Sequence, residues 1–521
     1  MAVRCGIDLG TTYSAISWYD AYNNRVDTID LESADGAKVI RSVVYYPEGG
    51  EPPVVGDTAW NSARQQPARV VVGIKRSMGT SFRAGPVDGV EYTPQQVSAE
   101  ILKAVARDAQ TFLGEEVKDV VVTVPAYFGD NERAATLEAG QLAGLNVLEL
   151  LPEPHAAALA FAVDKAADIV DKYLLVYDLG GGTFDVTLIH ATSVQADGGG
   201  LRLDIRTLCK DGNAALGGLD WDRALAEIVA ERIMQEHGVD VWADAKNEAL
   251  LLDNCEKAKR HLSRTSSVSI IGDLANHQVE VTASDFEDRT RDLLLATEML
   301  LRKVLDDAEQ QHGVGRDRID VMLTGGSSKM PMVKRMIEGV TGRPPVQHRN
   351  PELLVTMGAA YWAHLLQEGS TVVVPGTGPD GTITPMPVSV GPGGIIDTSA
   401  YAIGVEVLRP DGNGGFASFN SVVVPEGAAY GETFTKEFRT SHDDMAALPI
   451  TLYKGDSATL GECERLMEVT IAVSRPLRKG TRVNVTLGYD TSGVVRGTAQ
   501  VETGEDAAIV VDRSKLEAGR G

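Results

Sequence analysis

The apolar positions of this chain follow two alternating patterns over roughly its first two thirds. Residues 117–124 (VKDVVVTV) form a mainly apolar run that stops at a proline, which is typical of a strand buried in a parallel sheet. Residues 131–142 follow with helical spacing, and Asp130 is suited to cap that helix. Two long amphipathic helices are predicted further on, at residues 219–236 and 245–262. This alternation of strands and helices predicts an α/β fold for residues 1–368.

The pattern changes after residue 368. Residues 369–397 are rich in Gly, Pro and Thr, which is typical of a linker between domains. Residues 398–512 then show short alternating runs of apolar and polar residues, separated by Gly- and Asp-rich turns. This second pattern predicts a small all-β sandwich domain, followed by a short tail over residues 513–521.

Two short segments share one arrangement, in which an apolar strand leads to an Asp and then to a turn of Gly and Thr. The first runs from Gly6 to Ser14 (GIDLGTTYS) and the second from Asp178 to Asp185 (DLGGGTFD). Glycines let backbone amides approach a phosphate closely, and Thr hydroxyls add hydrogen-bond donors. One Gly-rich turn would be weak evidence, but two matched copies indicate a duplicated, two-lobed body whose cleft grips a polyphosphate from both sides.

Composition narrows the class of protein. A chain of 521 residues is too long for a single core, and 43% apolar residues are ordinary for a globular protein. The net charge of −24 argues against general binding of nucleic acid or of anionic membranes. The four cysteines form no CxxC pair, no apolar run approaches the ~20 residues of a membrane span, and the N-terminus shows no signal-peptide pattern. We therefore expect a reducing, cytoplasmic location.

The order of further motifs gives the chain a resemblance to a known family. These motifs are residues 73–76 (GIKR), 124–128 (VPAYF) with Asp130 and Arg133, 152–158 (PEPHAAA), 217–222 (GGLDWD), 256–263 (EKAKRHLS) and 323–327 (LTGGS). Together with the two Gly/Thr turns, they resemble the heat shock protein 70 family of chaperones, within the superfamily of actin and sugar-kinase ATPases. The resemblance implies a two-lobed, actin-like (duplicated ribonuclease H-like) ATPase domain followed by a β-sandwich that binds peptide.

The resemblance also implies the chemistry of the cleft. ATP or ADP and Mg²⁺ are the expected cofactors, and K⁺ is a possible further one. Lys75 is the cation expected to reach the γ-phosphate. Asp8 and Asp178 are expected to hold Mg²⁺, mostly through water. Glu153 and Asp185 are expected near the attacking water, where either proton transfer or cation ligation and scaffolding would suit a carboxylate.

The remaining nucleotide contacts are expected from loop residues and from one helix. Glu256 is expected to face the ribose, Arg260 to stack on adenine and Ser263 to reach the edge of the base. Without the resemblance, a solvated charged helix would be the default interpretation of these residues. The full set of expected nucleotide residues is Gly10, Thr11, Thr12, Tyr13, Gly180, Gly181, Gly182, Thr183, Gly217, Gly218, Glu256, Lys259, Arg260, Ser263, Gly325, Gly326 and Ser327.

The β domain resembles the family's peptide-binding sandwich less closely. An extended peptide could pair with exposed backbone while one apolar side chain enters a pocket. The alternative is that the apolar positions are simply the core of a sandwich, since any sandwich needs them. The residues that would face a peptide are Val405, Leu408, Phe438, Ser441, Leu448 and Ile450.

The sequence departs from the family pattern at three places. The family's linker of leucines flanked by aspartates is not evident, and residues 371–375 (TVVVP) are the nearest substitute, so weak coupling between ATP and peptide is expected. The sequence ends at Gly521 soon after the last predicted strand, so a lidless peptide site with fast exchange is expected. Glu149 stands where the family has an arginine that contacts the J-domain partner, and Pro152 replaces a nearby asparagine.

The sequence therefore predicts an ATPase of the chaperone class. It would bind and slowly hydrolyse ATP and bind unfolded or extended polypeptide, with weakened contacts to a J-domain co-chaperone and a nucleotide exchange factor. Neither nucleic acid nor membrane is an expected partner. Three alternatives stay open: a nucleotide-dependent scaffold for one dedicated partner, an actin-like filament protein, and a small-molecule kinase.

Overall fold

The computed structural model describes residues 3–164, 171–195, 200–346, 348, 350–367, 369–377, 383–399, 401–410, 415–504 and 506–510. The chain divides into two compact units. The first unit comprises Met1–Phe128 and Ala135–Ile395, and the second unit comprises Gly129–Ala134 and Ile396–Gly521. The tail predicted at 513–521 lies outside the described residues.

The described strands are β1 (Val3–Leu9), β2 (Tyr13–Asp20), β3 (Arg25–Thr28), β4 (Ile40–Arg41), β5 (Val43–Tyr45), β6 (Val54–Val55), β7 (Val70–Val72), β8 (Ala84–Val87), β9 (Val90–Tyr92), β10 (Val117–Val124), β11 (Asn146–Pro152), β12 (Asp171–Leu179), β13 (Phe184–Gln195), β14 (Leu201–Asn213), β15 (Ser267–Ile271), β16 (Gln278–Thr282), β17 (Ile319–Thr324), β18 (Val372–Thr377), β19 (Ile383–Ile396), β20 (Ile403–Pro410), β21 (Phe416–Val424), β22 (Thr433–Arg439), β23 (Met445–Lys454), β24 (Glu464–Leu477), β25 (Arg482–Tyr489), β26 (Val495–Val501) and β27 (Asp506–Val510). The described α-helices are α1 (Asp57–Ser62), α2 (Pro94–Leu113), α3 (Asp130–Leu142), α4 (Glu153–Asp164), α5 (Gly218–His237), α6 (Ala245–Leu262), α7 (Ala283–Arg289), α8 (Arg291–His312), α9 (Pro331–Thr341) and α10 (Leu354–Leu365).

The first unit contains two six-stranded sheets that repeat one arrangement. In one sheet, with the order β11-β10-β1-β2-β3 and β4 beside β2, strand β1 runs antiparallel to β2 and parallel to β10. In the other, with the order β17-β12-β13-β14-β19-β18, strand β12 runs antiparallel to β13 and parallel to β17. Each hairpin therefore carries one Asp-Gly-Thr turn at the same place, and we call the two halves the first and second lobes.

Small residues allow α10 to pack closely against both α4 and β1. A Cβ on Gly358 of α10 would lie 1.8 Å from the backbone oxygen of Ala156 in α4. A Cβ on Gly6 of β1 would lie 2.2 Å from the backbone nitrogen of Ala360 in α10. These contacts leave no room for larger side chains. Since Glu153 is the first residue of α4, this packing positions the end of the helix that carries its carboxylate.

The Gly- and Pro-rich stretch predicted as a linker differs in the structure. Val372–Thr377 and Ile383–Ile396 are antiparallel strands, and they extend the sheet of the second lobe beyond β14. Val372 and Val388 are fully buried in the apolar cluster that also contains residues of α4 and α10. The substitute linker at 371–375 thus falls mostly within β18, and the division between the units falls after Ile395.

Most of the second unit consists of two four-stranded antiparallel sheets, with the orders β21-β20-β23-β24 and β22-β25-β26-β27. Buried side chains from both sheets, including Val405, Ile450 and Val485, belong to one apolar cluster. Alternation of apolar residues along these strands is what a sheet with one buried face requires.

Residues Gly129–Ala134 belong to the second unit by their contacts. Arg133 is fully buried there, donates a hydrogen bond to the backbone oxygen of Ser492 at 3.1 Å and forms an ion pair with Asp397 at 3.3 Å. Its guanidinium lies 5.2 Å from the centre of the Tyr430 ring. Burial raises the pKa of Asp130 to about 7, although Lys454 and Arg133 oppose that rise.

Cysteines Cys5, Cys209, Cys255 and Cys463 are all free thiols. Burial raises the pKa of the Cys5 thiol to about 12, so this thiol is unreactive at neutral pH. Among the helices that the structure describes, none combines the length and apolar character of a membrane span.

Candidate active site

The two Gly/Thr turns meet face to face in the first unit. A Cβ on Gly181 would lie 1.9 Å from the hydroxyl oxygen of Thr12, and a Cβ on Gly182 would lie 2.4 Å from Cγ2 of Thr11. Only glycine permits this approach, which explains the glycines at positions 181 and 182 of the second turn. The Thr12 hydroxyl is buried and has no hydrogen-bond partner among the described residues. A buried, unpaired donor between two such turns is suited to an oxygen of a phosphate group.

Three buried aspartates lie at the ends of the hairpin strands. Burial raises the pKa of Asp8, and the neighbouring Glu153 adds to the rise, while Lys75 and a hydrogen bond from the Thr123 hydroxyl at 2.9 Å oppose it. Burial also raises the pKa of Asp178, again with a contribution from Glu153. The pKa of Asp185 is raised to about 7 by burial and Glu153. Carboxylates held this close in a buried site repel one another, and a cation bound among them would relieve the repulsion.

The arrangement of carboxylates in the cavity favours a metal ion held through water rather than by direct ligation. No group of three or more Asp, Glu, His or Cys side chains within the described ranges is arranged to ligate a metal ion directly. Asp8 and Asp178 nevertheless both line the same cavity. Two carboxylates that hold a hydrated ion through its waters fit this arrangement, because Mg²⁺ keeps much of its water shell.

Lys75 and Glu153 form a buried ion pair between separate elements. Lys75 lies in the short 3₁₀ turn Ile74–Ser77, and its Nζ donates to Oε1 of Glu153 at 2.5 Å. Both side chains line the cavity. The pairing compensates two charges that would be costly to bury singly.

Arg76, the neighbour of Lys75, has a role that the sequence did not reveal. Its Nε donates to the backbone oxygen of Gly182 at 2.7 Å, and its Nη2 pairs with Asp220 at 2.5 Å. Asp220 in turn accepts a hydrogen bond from the backbone N–H of Gly217 at 2.7 Å. Arg76 therefore connects the lysine turn, the second Gly/Thr turn and the start of α5. Its position in the GIKR motif was the sequence feature that could have indicated this role.

Glycines at the start of α5 allow further close contacts around the second turn. A Cβ on Gly217 would lie 2.6 Å from the carbonyl carbon of Gly182, and a Cβ on Gly218 would lie 2.2 Å from Oγ of Ser327. The Lys259 ammonium donates to the backbone oxygen of Gly218 at 2.8 Å and pairs with Asp222 at the same distance. Lys259 thus links α6 to this turn.

The charged face of α6 is a network rather than a row of solvated side chains. Glu256 accepts hydrogen bonds from the Tyr13 hydroxyl at 3.0 Å, from Nη1 of Arg41 at 2.6 Å and from Arg260. The guanidinium of Arg260 lies 5.3 Å from the centre of the Tyr13 ring. The Ser263 hydroxyl donates to the backbone oxygen of Lys259 at 3.1 Å.

One cavity of about 770 Å³ brings most of the predicted residues together. This volume is ordinary for a small-molecule site. The predicted residues that line it are Asp8, Gly10, Thr11, Thr12, Tyr13, Lys75, Glu153, Asp178, Gly180, Gly181, Thr183, Gly218, Glu256, Lys259, Arg260, Ser263, Gly325, Gly326 and Ser327. The predicted residues that do not line it are Asp185, Gly182 and Gly217. Asp185 is buried and accepts a hydrogen bond from the backbone N–H of Tyr127 at 3.1 Å, so it lies behind the cavity wall.

The predicted peptide residues have unequal exposure in the second unit. Val405 and Ile450 are buried in its core, whereas Phe438 and Leu448 are half-buried against that core. Ser441 is partly exposed. Leu408 is 51% exposed, so among these six it is the side chain most accessible to a ligand.

Glu149, at the position where the resemblance placed an arginine, is engaged within the first unit. Its Oε1 accepts a hydrogen bond from the indole N–H of Trp362 at 3.1 Å. Pro152 is the last residue of β11 and is buried. The Glu149 carboxylate is therefore held by a hydrogen bond to Trp362.

Facing Gly/Thr turns, buried aspartates and a paired lysine around one cleft define the class of two-lobed ATPases. A sequence model described as "Hsp70 protein" matches residues 4–89 and 84–375. The chain is 34% identical to chaperone protein DnaK of Thermotoga neapolitana, over 98% of this chain and 80% of that protein. It is 33% identical to chaperone protein DnaK of Thermosipho africanus, over 97% of this chain and 79% of that protein. The chain therefore belongs to the Hsp70 family and is an ATP-binding chaperone of that family.

Proposed function

We propose that the chain hydrolyses ATP slowly in the cleft of the first unit and binds extended apolar polypeptide segments through the second unit. The observation that supports the ATPase role most strongly is the convergence of the two Gly/Thr turns, the Lys75–Glu153 pair and the aspartates on one cavity. Family membership supports the same reaction.

The donor set suits a magnesium nucleotide. The unpaired hydroxyl of Thr12 and the neighbouring Thr11 and Thr183 are suited to phosphate oxygens. Asp8 and Asp178, whose pKa values are raised by burial, are suited to hold hydrated Mg²⁺. When bound, the ion would neutralise charge on the phosphates. Whether K⁺ binds as a second cation is left open.

Lys75 would act on the phosphate group that is transferred to water. Its ammonium is a point charge that can leave Glu153 for a phosphate oxygen as negative charge develops there. Glu153 would then be free to accept a proton from, or orient, the attacking water. Asp185, behind the wall, would support the site through its hydrogen bond from the backbone N–H of Tyr127 rather than by touching the ligand.

The second unit would bind unfolded or extended polypeptide, with Leu408 as an exposed apolar contact. A J-domain co-chaperone and a nucleotide exchange factor are the further partners that we propose. Glu149 would weaken a contact evolved for a cation, because it places a negative charge there. The cytoplasmic location stays a prediction of the sequence.

Calorimetric titration tests this proposal directly. The folded chain should bind one ADP per chain with Mg²⁺ present, and binding should weaken strongly in excess chelator. Asp178→Asn should reproduce the loss in the presence of Mg²⁺, whereas the control Asp288→Asn, an exposed residue paired with Arg291, should not. Hydrolysis should be slow and should increase with an unfolded apolar peptide. Folded protein that binds no nucleotide would overturn the proposal.

A further inference from the structure

Arg41 is a buried arginine that lies outside every motif singled out in the sequence. We propose that it is a positioning residue of the nucleotide site, which holds Glu256 and Tyr13 where the ribose of an adenine nucleotide would lie. The inference rests on the proposed nucleotide site, and it adds a residue that acts through others rather than by touching the ligand.

The surroundings of Arg41 hold its guanidinium firmly. Arg41 is the last residue of β4 and is 7% exposed. Its Nη1 lies 2.6 Å from Oε2 of Glu256, and its Nε donates to Oδ1 of Asp57 at 2.8 Å. The guanidinium carbon lies 5.2 Å from the centre of the Tyr13 ring and 4.7 Å from that of the Trp60 ring. Two aromatic faces and two carboxylates therefore fix this cation, an arrangement that a lysine would not reproduce.

Glu256 has most of its hydrogen-bonding capacity committed by this arrangement. One oxygen accepts from Arg41, and the other accepts from the Tyr13 hydroxyl and from Arg260. An ionised carboxylate has about four acceptor positions, so one remains for a further donor. Although burial opposes it, Arg41 and Arg260 lower the pKa of Glu256 below its ordinary value. Glu256 is thus an ionised acceptor in a fixed orientation.

Because Glu256 lines the cavity, its remaining acceptor position is available to a ligand. Glu256 and Tyr13 both line the cavity, whereas Arg41 does not. A sugar hydroxyl is the donor class that a nucleotide would offer to such an acceptor. Without Arg41, the buried carboxylate would lose a charged partner and would no longer be held in one orientation.

A neighbouring contact provides a control that joins the same two segments of the chain. Trp60 and Arg64 both donate to Asp253, one turn before Glu256 on α6. Neither Arg64 nor Asp253 lines the cavity. Arg64→Ala therefore removes a contact between the same parts of the two lobes and leaves Glu256 with all three of its donors.

The experiment compares ADP with 3′-deoxy-ADP and 2′-deoxy-ADP by calorimetric titration in Mg²⁺ buffer. Arg41→Ala should weaken ADP binding about tenfold or more, as expected for loss of a charged hydrogen bond that orients an acceptor. The deoxy analogue that lacks the contacted hydroxyl should lose much less, so the preference of the wild-type protein for ADP over that analogue should shrink. Arg41→Lys should restore only part of the preference, because its ammonium cannot form the planar fork.

A double-substitution cycle separates positioning from a general structural role. Glu256→Gln combined with Arg41→Ala should bind ADP no more weakly than Glu256→Gln alone, since both act on one group. Equal losses for ADP and both deoxy analogues, or an equal loss in Arg64→Ala, would overturn the inference. If the wild-type protein bound no ADP, the proposed nucleotide site itself would fail, and that result is distinct from a wild type that binds and an Arg41→Ala variant that binds equally well.

Discussion

The ammonium of Lys75 and the carboxylate of Glu153 lie 2.5 Å apart, although 78 residues separate them in the sequence. Both are buried, one in a 3₁₀ turn of the first lobe and the other at the first position of α4. In the proposed mechanism, a phosphate would compete with Glu153 for the Lys75 ammonium. The roles of the two residues can be tested separately by substituting each one.

Lys75→Ala should lower the rate of ATP hydrolysis by about a hundredfold or more while ATP binding is largely kept, because the two Gly/Thr turns still hold the phosphates. Single-turnover hydrolysis and titration of ATP measure the two effects separately. Lys103→Ala is a suitable control, since Lys103 pairs with Glu100 on the exposed side of α2. Near-normal hydrolysis in Lys75→Ala would contradict the proposed role.

Gly182→Ala should weaken ADP binding and lower stability by about 1–3 kcal/mol, the cost of forcing an extra methyl into a packed site. The added Cβ would lie 2.4 Å from Thr11, so the two turns must separate. Chemical denaturation and titration with ADP check both effects.

The matched control for that change is Gly339→Ala. Gly339 lies within α9, and no atom beyond its chain neighbours and the adjacent helix backbone lies within 4 Å of its hypothetical Cβ. Alanine should stabilise the helix there by about 0.5–1 kcal/mol. If both variants behaved alike, the close approach of the turns would not be what requires glycine at position 182.

Leu408→Ser should weaken binding of a fluorescent apolar peptide several-fold, about fivefold for loss of one partly buried leucine contact, with little change in stability. Ile450→Ala should instead lower the free energy of unfolding by about 2–5 kcal/mol, because it opens a cavity in the core. Fluorescence anisotropy and denaturant titration distinguish a ligand contact from a core residue. If the Leu408→Ser variant bound peptide as well as the wild type, Leu408 would not be a peptide contact.

Asp130 should make stability depend on pH. Its pKa is raised from 3.8 to about 7, so the folded state retains a proton that the unfolded chain releases. Between about pH 4 and pH 7 the unfolded state binds fewer protons, and the free energy of unfolding should fall as pH rises, by up to about 1.4 kcal/mol per pH unit.

Asp130→Asn removes this titration and should therefore be more stable than the wild type near pH 8, with a smaller difference near pH 5. Scanning calorimetry across that range measures the effect. Asp444→Asn, a substitution at an exposed position of the same unit, is a suitable control. Parallel stability curves for the wild type and Asp130→Asn would contradict the prediction.

The sequence was most informative where a local pattern determines structure. The buried run at Val117–Val124 and the helix Ala245–Leu262 have the predicted bounds, since burial and amphipathic spacing are local signals. Asp130 is the first residue of α3 rather than a cap outside it, a difference of the size expected at helix ends. Repetition of the strand–Asp–Gly/Thr unit predicted the two lobes, because each copy forms the same hairpin.

Contacts between distant segments could not be predicted in this way. Arg41 meets Glu256 across 215 positions, and Thr123 meets Asp8 across 115. Neither Arg41 nor Thr123 belongs to a motif with its partner, so only the tertiary fold brings each pair together. Val372–Thr377 and Ile383–Ile396 fall within the stretch 369–397 that was predicted as a linker, because Gly and Pro are rare in central strands. In the structure, these two segments are β18 at the sheet edge and the neighbouring β19.

Strands β18 and β19 also determine where the chain can be cut. A fragment that ended at residue 368 would leave β14 as a bare strand edge and would remove Val372 and Val388 from the core. Unpaired edges and exposed apolar side chains promote aggregation. Limited proteolysis should therefore spare β18 and β19, and a recombinant ATPase fragment should be designed to extend through Ile395.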